Sequence, residues 1–189
     1  PVPDIELRTV PRPDDGPVIG ALGRLDEQKG FDLLLRALPE LPGVTAVVVG
    51  KGPERARLEA LAVELGVADR FLLVDWLPQA RDWLTAFDLF VLPSRFEILP
   101  VAIVEAMLAR LPVVTTRVGS VDEAVRDGET GVFVASEDPR ALADAVQALL
   151  SNPSMRKQMG EAGRRLALER FSTESTTAQF EALYDEILR

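Results

Sequence analysis

The stretch VTAVVVGKGPERARLEALAVELGVADRFLLVDW, residues 44–76, decides the fold. It opens with an apolar, β-branched run, VTAVVVG (44–50). A strand that is apolar at nearly every position is one buried on both faces. A glycine-flanked turn follows, then ERARLEALAVELG (54–66), whose apolar residues recur at helical spacing. A second apolar run, RFLLVDW (70–76), closes the unit. Two buried strands joined through a helix predict a right-handed βαβ crossover and a parallel sheet.

The same rhythm extends both ways from this unit. Further strands are expected at PVIGAL (17–22), DLFVLPS (88–94), PVVTTRV (112–118) and GVFVA (131–135). Helical spacing marks FDLLLRALPEL (31–41), PVAIVEAMLAR (100–110) and a shorter VDEAVRDG (121–128). We expect an α/β domain over 17–189, doubly wound around a mostly parallel, six-stranded Rossmann-like sheet with helices on both faces. The tail is helical: 138–152, 154–170 and 172–189 carry no strand signal. Asp138 is placed to cap the first of these, with Pro139 at the first helical position, and Ser172 or Thr173 to cap the last. Phe180, Leu183, Tyr184, Ile187 and Leu188 share one side of that last helix. They pack either on the domain's own sheet or on a second domain. The first sixteen residues, PVPDIELRTVPRPDDG, read as a linker or surface segment. The chain starts at Pro1 instead of Met, which suggests an excised domain.

Composition narrows the function. The 189 residues are 47 % apolar, enough for an ordinary core, and no apolar run approaches a membrane span. Lys and Arg number 21 against 30 Asp and Glu, a net charge of −9. That argues against nucleic acid and anionic lipid as partners. There is no cysteine, so disulfides, thiolate metal sites and cysteine nucleophiles are excluded. There is no histidine either, so acid–base chemistry falls to Asp, Glu, Lys or Tyr.

Ligands of open parallel sheets bind where strands end at their carboxyl termini, so the loops there carry the functional signal. After strand 1 comes GRLDEQKG (23–30), where Gly23 and Gly30 bracket Arg24 and Lys29. Two cations in such a loop suit a phosphate or diphosphate; a solvated charged loop is equally consistent. After strand 2, GKGPER (50–55) reads as a tight turn, or as a place where Gly50 and Gly52 let backbone approach a ligand. Strand 4 is followed by SRFEILPVAIVEA (94–106). Glu97 falls in the loop, Pro100 at or near the first helical position, and Glu105 more than a turn inside an apolar helix. A carboxylate such as Glu105 needs a partner there, an arginine or a ligand hydroxyl. Taken alone, Glu97 reads as a solvated loop carboxylate. After strand 5, VGSVDE (118–123) leads into a short helix with Glu123 in its first turn.

Taken in order and spacing, GRLDEQKGFDLLLRAL, VVVGKGPERARLEALA, DLFVLPSRFEILPVAIVEAMLARLPVV, GSVDEAVRDGETGVFV and DPRALADAVQALL resemble the carboxyl-terminal domain of family 4 retaining glycosyltransferases. The resemblance covers residues 17–189. It implies one half of a GT-B fold, the half that binds a nucleotide-diphosphate sugar. Arg24 and Lys29 would hold the diphosphate and stabilise the leaving group without a metal or other cofactor. Glu97 would meet the transferred sugar and Glu105 the ribose hydroxyls. Gly23, Gly50, Gly52, Leu99, Pro100 and Val101 would line the donor, with Trp76 and Leu77 by the base. Hexosyl transfer to a glycan or glycolipid would retain the anomeric configuration, and the acceptor would be held by a missing amino-terminal domain. The expected location is cytoplasmic, at the inner membrane only through that other half. Two departures stand out. The family pattern has glycine where Pro100 stands, and Gly-Gly-x-x-Glu where this chain has Gly-Ser-Val-Asp-Glu (119–123). Proline offers no N–H, which supports the competing expectation of a degenerate, non-catalytic binding or regulatory module. A nucleotide-sugar epimerase of similar architecture fits the spacing of Glu97 and Glu105 less well.

Overall fold

The computed structural model describes residues 15–188, apart from 77, 79 and 99. Six strands form one sheet in the order β3-β2-β1-β4-β5-β6. They are β1 (Val18–Leu22), β2 (Thr45–Val49), β3 (Phe71–Val74), β4 (Leu89–Leu92), β5 (Val113–Thr116) and β6 (Gly131–Val134). Among the described residues every pairing is parallel, without the antiparallel strand that "mostly parallel" would have admitted. All residues of β1, β2, β4 and β5 are buried, while β3 and β6 at the edges are half-buried. The continuous apolar runs reflect that two-sided burial.

Helices pack around the sheet: α1 (Phe31–Ala37), α2 (Arg55–Glu64), α3 (Val101–Leu108), α4 (Val121–Ala124), α5 (Pro139–Leu150), α6 (Pro153–Phe171) and α7 (Thr173–Ile187). Helix α1 lies against α2 and α5, and α3 against α6. The crossover from β3 to β4 runs through a 3-10 segment, Ala80–Ala86, where no helix was expected. Its Ala80, Leu84 and Ala86 are buried, so tertiary packing holds a segment too short for a visible period.

The tail caps form as expected. Asp138 accepts from the amides of Arg140 and Ala141 with Pro139 behind it, and Ser172 accepts from Ser175 N. The apolar side of α7 does not pack on the sheet. Phe180, Leu183, Tyr184, Ile187 and Leu188 are all exposed. No helix among the described residues is long and apolar enough to cross a membrane. Most of the expected linker, residues 1–14, lies outside the described residues, as do Leu77 and Leu99.

Candidate donor site

Strand order reverses between β1 and β4, so their carboxyl ends stand side by side at the point where open parallel sheets bind their ligands. Two loops leave that point, 23–30 from β1 and 93–100 from β4, and hydrogen bonds lace them together. Arg95 N donates to Gln28 O at 2.8 Å, and Gln28 Nε2 donates back to Phe96 O at 2.9 Å. Gly30 makes the close approach possible. It sits at φ 66°, and a Cβ there would run into the Pro93 carbonyl. From the other side, the loop after β5 closes over the β4 loop. Ser120 N donates to Ile98 O at 3.0 Å, and Gly119, at φ 54°, lies against the Glu97 carbonyl oxygen.

These contacts bury Glu97, which is only 5 % exposed. The reading of a solvated loop carboxylate is therefore corrected: three loops close around it. Its Oε1 accepts from Lys29 Nζ at 2.6 Å and from Ser94 Oγ at 2.6 Å. Lys29 is itself largely buried, so the pair is a partly desolvated cation and anion, each needing the other. Arg24, in the same loop as Lys29, behaves differently. Its side chain is 72 % exposed, and its Nε lies 3.5 Å from Asp26 Oδ2. It stands at the wall of a pocket of about 640 Å³, with Gly23, Lys51, Gly52, Pro53 and Trp76. Trp76 offers a half-exposed indole there.

Gly50 and Gly52 have a structural explanation. A Cβ at Gly50 would strike Gly23 O, and one at Gly52 would strike Leu25 O. The backbone they admit is that of the β1 loop, which continues the β1–β2 ladder through Gly23 N to Val49 O and Leu25 N to Lys51 O.

Helix α3 begins between the two glutamates. Pro100 is the residue before its first turn, at φ −76° and ψ 104°, one position earlier than a first helical residue. Val101 opens the helix and is 66 % exposed. Glu105 is half-buried and has no ion pair within 4.0 Å among the described residues, so the buried salt bridge considered for it does not form. Burial pushes its carboxyl pKa up, and the charge of Arg81 in the 3-10 crossover offsets only part of that. The two glutamates thus exchange environments relative to the reading from sequence: the loop residue is buried and paired, the helical one is half-open and unpaired.

The structure brings in two residues that the sequence did not point to. Arg95 Nη1 and Nη2 donate to the two carboxylate oxygens of Asp32 at 2.8 and 3.0 Å. Asp32 is buried in the first turn of α1. Burial alone would raise its pKa, but the hydrogen bonds and charge of Arg95 outweigh that and hold it below the ordinary value. A carboxylate followed directly by three leucines in FDLLLRAL was the available signal.

A family description, glycosyl transferases group 1, matches residues 4–166. The chain belongs to that family. It is 37 % identical over 165 residues to the lipopolysaccharide core biosynthesis glycosyltransferase LpsE of Rhizobium meliloti, covering 87 % of this chain and 48 % of LpsE. Anabaena HepE in complex with UDP superposes with a TM-score of 0.85 at 26 % identity, over 89 % of this chain and 48 % of HepE. The carboxyl-terminal domain of LpcC, a group 1 family protein from Francisella tularensis, shares the fold, with a TM-score of 0.75 at 24 % identity over 83 % of this chain and 87 % of that domain. The chain therefore has the fold of a GT-B carboxyl-terminal domain, and it spans about half the length of the curated relatives it matches.

Proposed function

We propose that this chain is the donor-binding half of a retaining glycosyltransferase that moves a hexosyl group from a nucleotide-diphosphate sugar to a glycan or glycolipid acceptor. The observation that carries this reading is the Lys29–Glu97 pair, held at 2.6 Å where β1 and β4 end. It puts a cation for phosphate and an acceptor for sugar hydroxyls in adjacent positions. Arg24 supplies a second cation beside the pocket lined by Trp76, the place for the base. By their motif positions alone, Leu77 and Leu99 are proposed as further donor contacts.

The chemistry asks for charge stabilisation at the departing diphosphate. Lys29, Arg24 and the amino-terminal end of α3 provide it without a metal ion or other cofactor. Glu97 orients the sugar and Glu105 accepts from the ribose hydroxyls. Neither is assigned as a hydrolytic acid or nucleophile. The acceptor site belongs to the other half of the protein, so the isolated chain binds a nucleoside diphosphate and transfers nothing. UDP bound to HepE, and relatives named as glycosyltransferases, favour this reading over a non-catalytic module. The cytoplasm is the proposed location.

Calorimetric titration of the folded chain with UDP, GDP, ADP and their sugars tests the proposal. Saturable heat with at least one of them is expected. Silence with all of them overturns it.

A further inference from the structure

Arg95 ties four segments to one guanidinium. Its Nη1 donates to Glu27 O at 2.8 Å, in the β1 loop, as well as to Asp32 of α1. Nη2 reaches Glu137 Oε2 at 3.1 Å as well as Asp32, and Nε lies 2.7 Å from Glu137 Oε1. Glu137 follows β6 and adopts φ 58°, a left-handed conformation that is uncommon for a residue with a side chain. Both carboxylates therefore meet the fork in paired fashion, a geometry that lysine cannot reproduce.

The arrangement is aimed at Lys29 and Glu97. Arg95 N and Gln28 O form one tether, Gln28 Nε2 and Phe96 O another. Gln28 immediately precedes Lys29, and Phe96 immediately precedes Glu97. The tethers thus end one residue before each member of the pair. The Arg95 side chain anchors both loops to α1 and to the β6 loop.

Building on the donor-site reading above, we infer that Arg95 is a positioning residue for donor binding. Its fork to Asp32 and Glu137 fixes the β1 and β4 loops so that Lys29 and Glu97 present themselves to the sugar diphosphate together. Arg95 itself touches no ligand; it acts through the two loops.

The test is a coupling measurement on the full chain, with UDP and GDP as probes and circular dichroism confirming that each variant is folded at the titration temperature. Lys29→Ala in the native background is expected to weaken nucleotide binding about tenfold or more, as loss of a charge-assisted contact does. Arg95→Met is expected to weaken it by a similar factor. Adding Lys29→Ala to Arg95→Met should then weaken binding by no more than about twofold further, because the lysine is already out of place. A role confined to stability would leave the full effect of Lys29→Ala in place, and that result overturns the inference. Arg95→Lys and Glu137→Gln serve if Arg95→Met does not fold. Both are expected to weaken binding, and native-like affinity in Arg95→Lys would show that charge alone suffices and sink the fork. If native protein binds none of UDP, GDP, ADP and their sugars, the donor reading fails and the inference with it; a chain that binds only one of the others is tested with that one as the probe. If native protein binds, Lys29→Ala weakens it and the Arg95 variants bind normally, only Arg95 is reassigned.

Discussion

Lys29 Nζ lies 2.6 Å from Glu97 Oε1, across two loops that leave neighbouring strands. The two residues are far apart in sequence and meet only because β1 and β4 pair at the centre of the sheet. Both are largely out of water, so each removes the desolvation problem of the other.

Removing one partner should therefore be worse than removing both charges. Lys29→Ala is expected to destabilise the chain by about 2–3 kcal/mol, below the range for fully buried pairs because some water reaches the lysine. Lys29→Ala combined with Glu97→Gln should recover part of the loss. Urea unfolding midpoints at pH 7 measure both, and additive losses would show that the pair is not coupled.

Glu105 gives a pH signature of the opposite kind to a stabilising ion pair. Its folded-state pKa is raised, chiefly by burial, above the ordinary 4.5. The folded state thus binds the proton more tightly, and this group's contribution is fully present below about the ordinary pKa and is lost as pH rises through the raised value. Glu105→Gln should be more stable than the native chain at pH 7 and no more stable at pH 4. Donor affinity should fall in the same variant. Unfolding curves at the two pH values, with UDP titration alongside, check this, and equal stability at pH 7 contradicts it.

Asp32 has the reverse sign. Its pKa is held low by Arg95 against the opposing effect of burial, so its contribution is present above the ordinary 3.8 and is lost as pH falls through the depressed value. Asp32→Asn should cost about 2–3 kcal/mol at pH 7, as breaking a largely buried ion pair does. The difference from native should shrink steadily in acid. A deficit independent of pH would mean that the charge of Asp32 contributes nothing.

Gly119→Ala is expected to cost more than about 1 kcal/mol, since the residue sits at φ 54° and its new Cβ would collide with Glu97 O. The Glu97 loop must move to make room, so nucleotide affinity should drop with stability. Denaturant midpoints and calorimetry report the two effects. A stable variant with native affinity would show that the β5 loop does not hold Glu97.

Pro100→Gly should lower stability by about 0.5–1 kcal/mol, because glycine restores freedom to the unfolded chain while the φ of −76° already suits proline. In the complete protein we expect turnover to fall as well. A large rise instead would mark Pro100 as a loss of function and favour the non-catalytic reading.

The central sheet was legible in the sequence because β1, β2, β4 and β5 are buried on both faces and so carry unbroken apolar runs. Arg24, Lys29, Glu97 and Glu105 stood out because charge types in strand-end loops and in an apolar helix are local features. Which glutamate would be buried was not legible. The burial of Glu97 depends on Ser94, Gly119 and Lys29, two of them brought in from distant loops. Arg95 escaped notice for the same reason. Its partners lie 42, 63 and 68 residues away, and no spacing rule links them. The short crossover at Ala80–Ala86 was missed because seven residues of 3-10 helix leave no 3.6-residue period to read.

Helix α7 leaves Phe180, Leu183, Tyr184, Ile187 and Leu188 in water on a chain of net charge −9. Contact between two such faces gains free energy in proportion to the apolar area removed, while like-charged molecules repel one another. The two act over different ranges. Repulsion is screened within about 10 Å at 0.1 M salt, whereas apolar contact is not weakened by salt. For this chain by itself, ionic strength is therefore expected to set colloidal behaviour: dilute buffer should keep molecules apart, and added salt should let the α7 faces meet.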